Sequence, residues 1–259
     1  VRQRWLPKTR SGLSFATVGL SHLTTSRRHL SKPILQVRAT SGQWELNGTA
    51  PWVTGSRHAD VIVCGGIDEQ SSKMLFAVPA DVRGLDCGKG LAMVGLSGSD
   101  TDQVHFDRVR LSPDDVVEAA TSAESLPASG SGGGTGSLQT SALAIGLAAA
   151  AIGFIQDESS RRESLVSIAD RLDAAWQTLH GDLMSAAAGS GEYSAADIRG
   201  RANDLVMRST QAAMTTAKGA GYVSGHPVGR WCRESFFFLV WSCPQDVADA
   251  HLCELANLT

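Results

Sequence analysis

Leu46-Asn47-Gly48-Thr49-Ala50-Pro51-Trp52-Val53-Thr54-Gly55 is the stretch whose reading decides the fold of this chain. Asn47-Gly48 signals a tight turn, because both residues tolerate positive φ, and an extended run follows it. In an extended run Trp52 and Thr54, two apart, point to one face. A flat indole beside a short hydroxyl suits a planar heteroaromatic ligand, which takes one stacking surface and one hydrogen bond at its edge. The same pair also suits plain packing on a sheet.

Outward from this stretch, residues 11–117 read as β. Leu13 to Val18 is strand-like. Leu35, Val37 and Ala39 alternate with polar neighbours, and Ser41-Gly42 turns the chain into Trp44 and Leu46. Ala59 to Val63, Met74 to Val78 and Val104 to Leu111 continue the pattern between Gly, Asp, Ser and Pro clusters, which suggests a small barrel or sandwich. Residues 118–136 lose all periodicity and end in Gly130 to Gly136, the composition of a flexible linker; the glycines match neither nucleotide-loop spacing.

From residue 137 to 259 the pattern is helical. Helices are expected over Leu138 to Glu158, Arg162 to Ala188 and Ala195 to Ala220, with two shorter ones over Val228 to Val240 and Pro244 to Ala256. Long helices joined by short loops imply an antiparallel bundle, so the expected fold class is α+β: a β-domain (1–117), a linker (118–136) and a helical domain (137–259).

Composition narrows the partners. A net charge of −3 over 259 residues gives no electrostatic reason to expect nucleic acid or an anionic membrane. Five cysteines, odd in number and in no paired ligand spacing, read as reduced thiols of a cytoplasmic protein rather than a zinc site. No signal peptide is visible at the start. The apolar run from Ala142 to Ile155 is shorter than the roughly 20 residues that span a bilayer and reads as an internal helix.

Several segments stand in a telling order. Gln3-Arg4-Trp5-Leu6-Pro7-Lys8 leads into the β region, and Leu46 to Gly55 looks like L-N-G-x-K-x-W-I-T. Gly95-Leu96-Ser97-Gly98-Ser99 and Val104 to Val109 follow, then Gly219-Ala220-Gly221-Tyr222 and Arg230-Trp231-Cys232-Arg233-Glu234. In this order they resemble the acyl-CoA dehydrogenase family of flavoproteins, specifically its middle β-domain and C-terminal helical domain. The family's N-terminal helical domain has no counterpart, so the chain is expected to be a fragment or a relative without that domain. The resemblance implies FAD as cofactor, an acyl-CoA-like substrate oxidised across a CH–CH bond, and assembly as a homodimer or homotetramer. It implies that Trp52 packs against the flavin and that Thr54 hydrogen-bonds its reactive edge.

Other positions depart from the family pattern. Where the family carries T-E-P-x-x-G-S-D, this chain has Val18 to Thr25, with Thr24 opposite the phosphate-binding Ser. A hydroxyl still serves a phosphate there, and ordinary turn chemistry explains Ser21, Thr24 and Thr25 equally. Arg162 falls on the family's R-x-x-F-G arginine, which reaches the dinucleotide of a neighbouring subunit, but Leu165 and Val166 replace the Phe and Gly. Arg162 also suits a solvated helix start beside Arg161, which leaves room for FMN or no flavin. The family's catalytic glutamate falls on Ser242, and the alternative base position falls near Gly136. A serine hydroxyl without a neighbouring base cannot take an α-proton. Ser242-Cys243-Pro244-Gln245 instead has the form of a helix capping box, and Glu234 that of an ion-pair partner of an arginine.

Three functions fit these residues: a flavin-dependent acyl-CoA dehydrogenase-like oxidoreductase with impaired proton abstraction, a flavin monooxygenase-type enzyme that needs no such base, and a non-catalytic scaffolding relative.

Overall fold

A computed structural model of the chain describes residues 1, 3–24, 33–121 and 138–258, so the Gly-rich stretch, Gly136 and Thr25 lie outside the described residues. The chain divides into two compact units, Val1–Ala128 and Ser129–Thr259.

The first unit holds α1 (Leu6–Arg10), β1 (Ala16–Gly19), α2 (Ser21–Thr24), β2 (Leu35–Thr40), β3 (Gln43–Thr54) and β4 (Val61–Ile67). It continues with β5 (Lys73–Pro79), β6 (Leu85–Cys87), β7 (Thr101–Leu111) and β8 (Val116–Thr121). Among the described residues the strands form one eight-stranded sheet in the order β6-β7-β3-β2-β4-β5-β8, with β1 added parallel to β4. Strand alternation supplies the core: Leu35, Val37, Leu46, Phe76, Val104 and Phe106 point inward and are buried in one cluster. Trp44 packs edge-on to Phe76, with ring centroids 6.2 Å apart.

The turn expected at Asn47-Gly48 is not there. β3 runs through it, paired on one side with β2 and on the other with β7. The hairpin turn is Ser41-Gly42, where both residues have positive φ (49° and 79°) between the paired Thr40 and Gln43. Gly48 is needed for a different reason. At φ 131° a Cβ there would stand 2.1 Å from the Ile34 carbonyl oxygen, so the glycine admits a close backbone approach.

The second unit holds α3 (Leu138–Ser159), α4 (Val166–Ala187), α5 (Ala195–Ala217), α6 (Pro227–Ser235), α7 (Phe237–Val240) and α8 (Gln245–Leu255). Ala144, Ala148 and Ala202 let α3 and α5 approach closely, while Leu179 and Leu183 of α4 close the same cluster. The Trp176 indole N–H donates to the Ile145 carbonyl at 3.0 Å. α4 stops before Gly189, at φ 76°. α5 starts at a capping box in which the Ser194 hydroxyl accepts from the Asp197 N–H at 3.1 Å.

At 22 residues α3 is longer than the apolar run in the sequence suggests, and by length and composition it could cross a membrane. In this structure Ala144, Ile145, Ala148, Ala151, Ile152 and Ile155 are buried, and they pack against the neighbouring helices as part of the helical core.

Candidate functional site

Trp52 and Thr54 share one face, but not by simple alternation. Leu46 and Ala50 point into the core, so an unbroken period of two would carry Trp52 and Thr54 inward as well. A bulge intervenes: Ala50 pairs with Val104 and Val53 with Asp102, so three steps along β3 match two along β7. The irregularity falls at Trp52, whose φ is 57°. Val53 thereby takes the core position, and Trp52 and Thr54 turn outward, the indole 54% exposed. Bulges commonly re-aim a side chain beside a site, and a left-handed non-glycine residue stores strain of about 1–3 kcal/mol.

The neighbourhood of this pair is pinned by hydrogen bonds on both sides. β1 lies alongside: the Thr17 hydroxyl donates to the Thr54 carbonyl at 2.6 Å, and the Ser21 hydroxyl to the Pro51 carbonyl at 3.0 Å. Phe15 and Val18, at the same strand, are exposed, and the Phe15 ring stands over Gly55. Across the pair, the Thr54 and Thr101 hydroxyls are 2.9 Å apart, and the Thr101 and Ser99 hydroxyls 2.8 Å. Arg57 donates to both Asp100 carboxylate oxygens at 2.9 and 3.1 Å, and His58 lies 3.0 Å from the same group. The Arg57 guanidinium holds the Asp100 carboxyl below its ordinary range. That clamp ties Gly55–His58 to the turn before β7, which keeps Thr54 and Thr101 in register.

The other expected site residues lie elsewhere. Thr24 ends the short helix α2, and its side chain lies outside the described residues. Arg162 stands at the corner between α3 and α4; its Nη2 donates to the Glu158 carboxylate at 2.7 Å and to the Thr216 carbonyl at 2.9 Å. It braces α3 against the end of α5, which the solvated-helix-start alternative did not foresee. Glu234 does pair with an arginine, its Oε1 lying 3.7 Å from Arg230 Nε.

Ser242 is not a helix cap. α8 begins at Gln245 with Pro244 as its N-cap and no side-chain cap, and Ser242 stands two residues earlier at φ 48°. The physical reason is the backbone: an N-cap residue is extended, whereas Ser242 is left-handed and the extended residue before the helix is Pro244. The segment before α8 is held by a residue that motif reading missed. Arg199 of α5, with no exposed surface, donates to Asn203 Oδ1 at 3.0 Å and to the carbonyls of Phe238 and Trp241, both at 2.8 Å. Its Nη1 is buried without a partner. The available signal was a charged residue on the stripe otherwise formed by Ile198, Ala202, Leu205 and Val206. Ser99 was visible as the end of a family landmark and Thr101 was not; the contact of Thr101 with Thr54, and of Ser99 with Thr101, depends on the β3–β7 register.

A flavin ring makes definite demands: a flat apolar surface, and at its edge a group able to hydrogen-bond. The exposed Trp52 indole and the hydroxyls of Thr54, Thr101 and Ser99, with the exposed Phe15 ring over Gly55, fit them. A β unit followed by a helical unit corresponds to the middle and C-terminal parts of the acyl-CoA dehydrogenase class. No family model matches the chain. A probable acyl-CoA dehydrogenase, fadE25, of Mycobacterium leprae is 26% identical, with 77% of this chain and 56% of that protein covered. This chain thus spans about half the length of the curated relatives it matches. The structure of a glutaryl-coenzyme A dehydrogenase in its glutaryl-CoA complex superposes with a TM-score of 0.79, at 16% identity, covering 98% of this chain and 69% of that one. FMN-bound TdsC from Paenibacillus sp. A11-2 gives 0.76 at 16% identity, covering 98% and 72%. The chain is similar in sequence to these acyl-CoA dehydrogenases and has the acyl-CoA dehydrogenase fold over the part it covers.

Proposed function

We propose that this protein is a flavin-dependent oxidoreductase that seats the isoalloxazine on the exposed face of β3, with Trp52 stacked on the ring and Thr54 at its edge. The observation that carries this is the bulge at Trp52: it spends backbone strain to turn the indole and the Thr54 hydroxyl out together, which plain core packing would not require. FAD is the proposed cofactor, with Thr24 toward a phosphate. Arg162 already spends its Nη2 on Glu158 and the Thr216 carbonyl, which leaves fewer donors for a pyrophosphate, so FMN is the alternative. The relatives' names point to an acyl-CoA-like substrate; assembly as a homodimer or homotetramer is proposed on the family resemblance alone.

When bound, the flavin supplies hydride acceptance. The residues of this chain orient the ring, but none in the segment 236–245 serves to remove an α-proton: Ser242 is a hydroxyl, and burial pushes the neighbouring Cys243 thiol up and keeps it protonated. Loss of a general base costs about 10²- to 10⁴-fold in rate, so dehydrogenation is slow. That same gap favours the monooxygenase-type reading, in which reduced flavin reacts with oxygen, and the non-catalytic one.

The test is spectroscopic. The purified protein is titrated with FAD and FMN and then mixed with acyl-CoA without oxygen. Slow bleaching of the flavin band is the expected result. Bleaching only by an external reductant, followed by oxygen consumption, supports the monooxygenase-type reaction; a protein that takes up neither flavin is the non-catalytic relative.

A further inference from the structure

Thr54 is not an isolated hydroxyl. Its Oγ1 is 2.9 Å from Thr101 Oγ1, which is 2.8 Å from Ser99 Oγ, and in each contact either oxygen can be the donor. Thr101 is buried, whereas Ser99 is only partly so and Thr54 is exposed. The three hydroxyls therefore run from the proposed ring edge, across the β3–β7 pair on one face, to the turn before β7.

We propose that Thr101 and Ser99 form, behind Thr54, a hydroxyl chain whose direction reverses with the oxidation state of the bound flavin. This rests on the flavin reading above and adds two residues to it. The reactive ring nitrogen accepts a hydrogen bond when the flavin is oxidised and carries an N–H, a donor, when it is reduced. Facing the oxidised edge, Thr54 donates to the ring, Thr101 donates to Thr54 and Ser99 to Thr101. Facing the reduced edge, Thr54 accepts from the ring and donates its own hydrogen bond to Thr101, which donates to Ser99. Ser99, partly exposed, donates outward. Three hydroxyl rotations exchange one state for the other, no covalent bond changes, and every donor keeps an acceptor.

Removing the middle hydroxyl breaks this symmetry. With valine at 101, the oxidised state loses only a second partner for the Thr54 oxygen. The reduced state leaves the Thr54 proton without an acceptor beneath the ring, and a stranded donor costs more than an under-used acceptor. The chain therefore favours reduced flavin relative to the variant.

Dissociation constants are measured for oxidised and for anaerobically reduced FMN and FAD, with wild type, Thr101→Val, Thr101→Ser and Ser99→Ala. In Thr101→Val the preference for reduced over oxidised flavin is expected to fall about tenfold, a shift of about 30 mV to lower potential for a two-electron couple. Thr101→Ser is expected to restore the wild-type ratio. Ser99→Ala is expected to shift the ratio in the same direction by a smaller factor, and it serves if Thr101→Val does not fold. Flavin bound normally with an unchanged ratio in Thr101→Val, or in Ser99→Ala where that variant stands in, overturns the chain and leaves the flavin site standing. A wild type that binds no flavin overturns both.

Discussion

Arg199 donates to the Trp241 carbonyl at 2.8 Å from inside the helical unit, with no exposed surface of its own. No carboxylate accepts from its guanidinium among the described residues; its acceptors are two carbonyls, Phe238 and Trp241, and the Asn203 amide. A buried cation with neutral partners is held by charge-assisted hydrogen bonds at a desolvation cost. What it secures is the passage from α7 to α8, where Ser242 sits at positive φ.

Replacing Arg199 therefore loosens that passage. Arg199→Met removes the charge and its desolvation cost but strands three acceptors, and is expected to lower unfolding free energy by about 2–4 kcal/mol. Arg199→Lys, which still offers donors, is expected to lose less. Urea unfolding followed by tryptophan fluorescence reads both; a Met variant as stable as wild type would show that other contacts hold the segment.

Much of this architecture was legible because periodicity is a local property. Leu172, Trp176, Leu179 and Leu183 announce α4, whose expected start at Arg162 precedes the observed Val166 and whose end matches to one residue, and Ser41-Gly42 marks its hairpin. What was not legible depends on partners far away in the chain. The outward turn of Trp52 exists only in register with β7, some fifty residues on, where Val53 meets Asp102. Arg199 is explained only by carbonyls beyond α6. Asn47-Gly48 carries the same local signal as a hairpin turn, and only the Ile34 carbonyl reveals why glycine stands there. Strand β6 has three residues, too few for alternation to show.

Gly48→Ala is expected to be among the costlier single changes in the β unit. It adds a Cβ 2.1 Å from the Ile34 oxygen at a φ of 131°, so the backbones of β2 and β3 must part or the residue must change conformation. A loss of at least about 2 kcal/mol is expected in chemical denaturation. Asn47→Ala, exposed on the same strand, is expected to change stability by less than about 0.5 kcal/mol. Equal effects of the two would show that the close approach to Ile34 relaxes freely.

Trp52 and Trp44 lie on one strand and are expected to respond in opposite ways. Trp44→Ala removes packing against Phe76 and should cost about 3 kcal/mol while leaving flavin uptake to a correctly folded protein. Trp52→Gly relieves the strain at φ 57° as it deletes a half-exposed indole, so stability should stay within about 1 kcal/mol of wild type. Flavin affinity should fall at least about tenfold with the loss of the stacking surface. Undiminished flavin binding in Trp52→Gly would remove the ring from this face.

His22 makes the β unit sensitive to mild acid. Its ring is buried, Nε2 lies 2.7 Å from the Gly65 carbonyl and donates to it, and Nδ1 is enclosed without a partner. Burial lowers its pKa, outweighing the Gly65 carbonyl, which acts the other way. The unfolded chain takes up a proton near the ordinary value of about 6.5, whereas the folded chain resists until a lower pH. Between those two points the unfolded state binds more protons, so stability rises with pH there and falls on acidification; above the unfolded value, with the ring neutral in both states, His22 contributes no slope. The slope cannot exceed about 1.4 kcal/mol per pH unit for one group. His22→Gln keeps a donor for Gly65 and removes the titration. Urea midpoints at pH 7 and pH 5 should therefore differ more in wild type than in His22→Gln, the comparison cancelling carboxylates common to both. If the two proteins lose the same stability over that interval, His22 takes up its proton as readily folded as unfolded, and the acid sensitivity belongs to other groups.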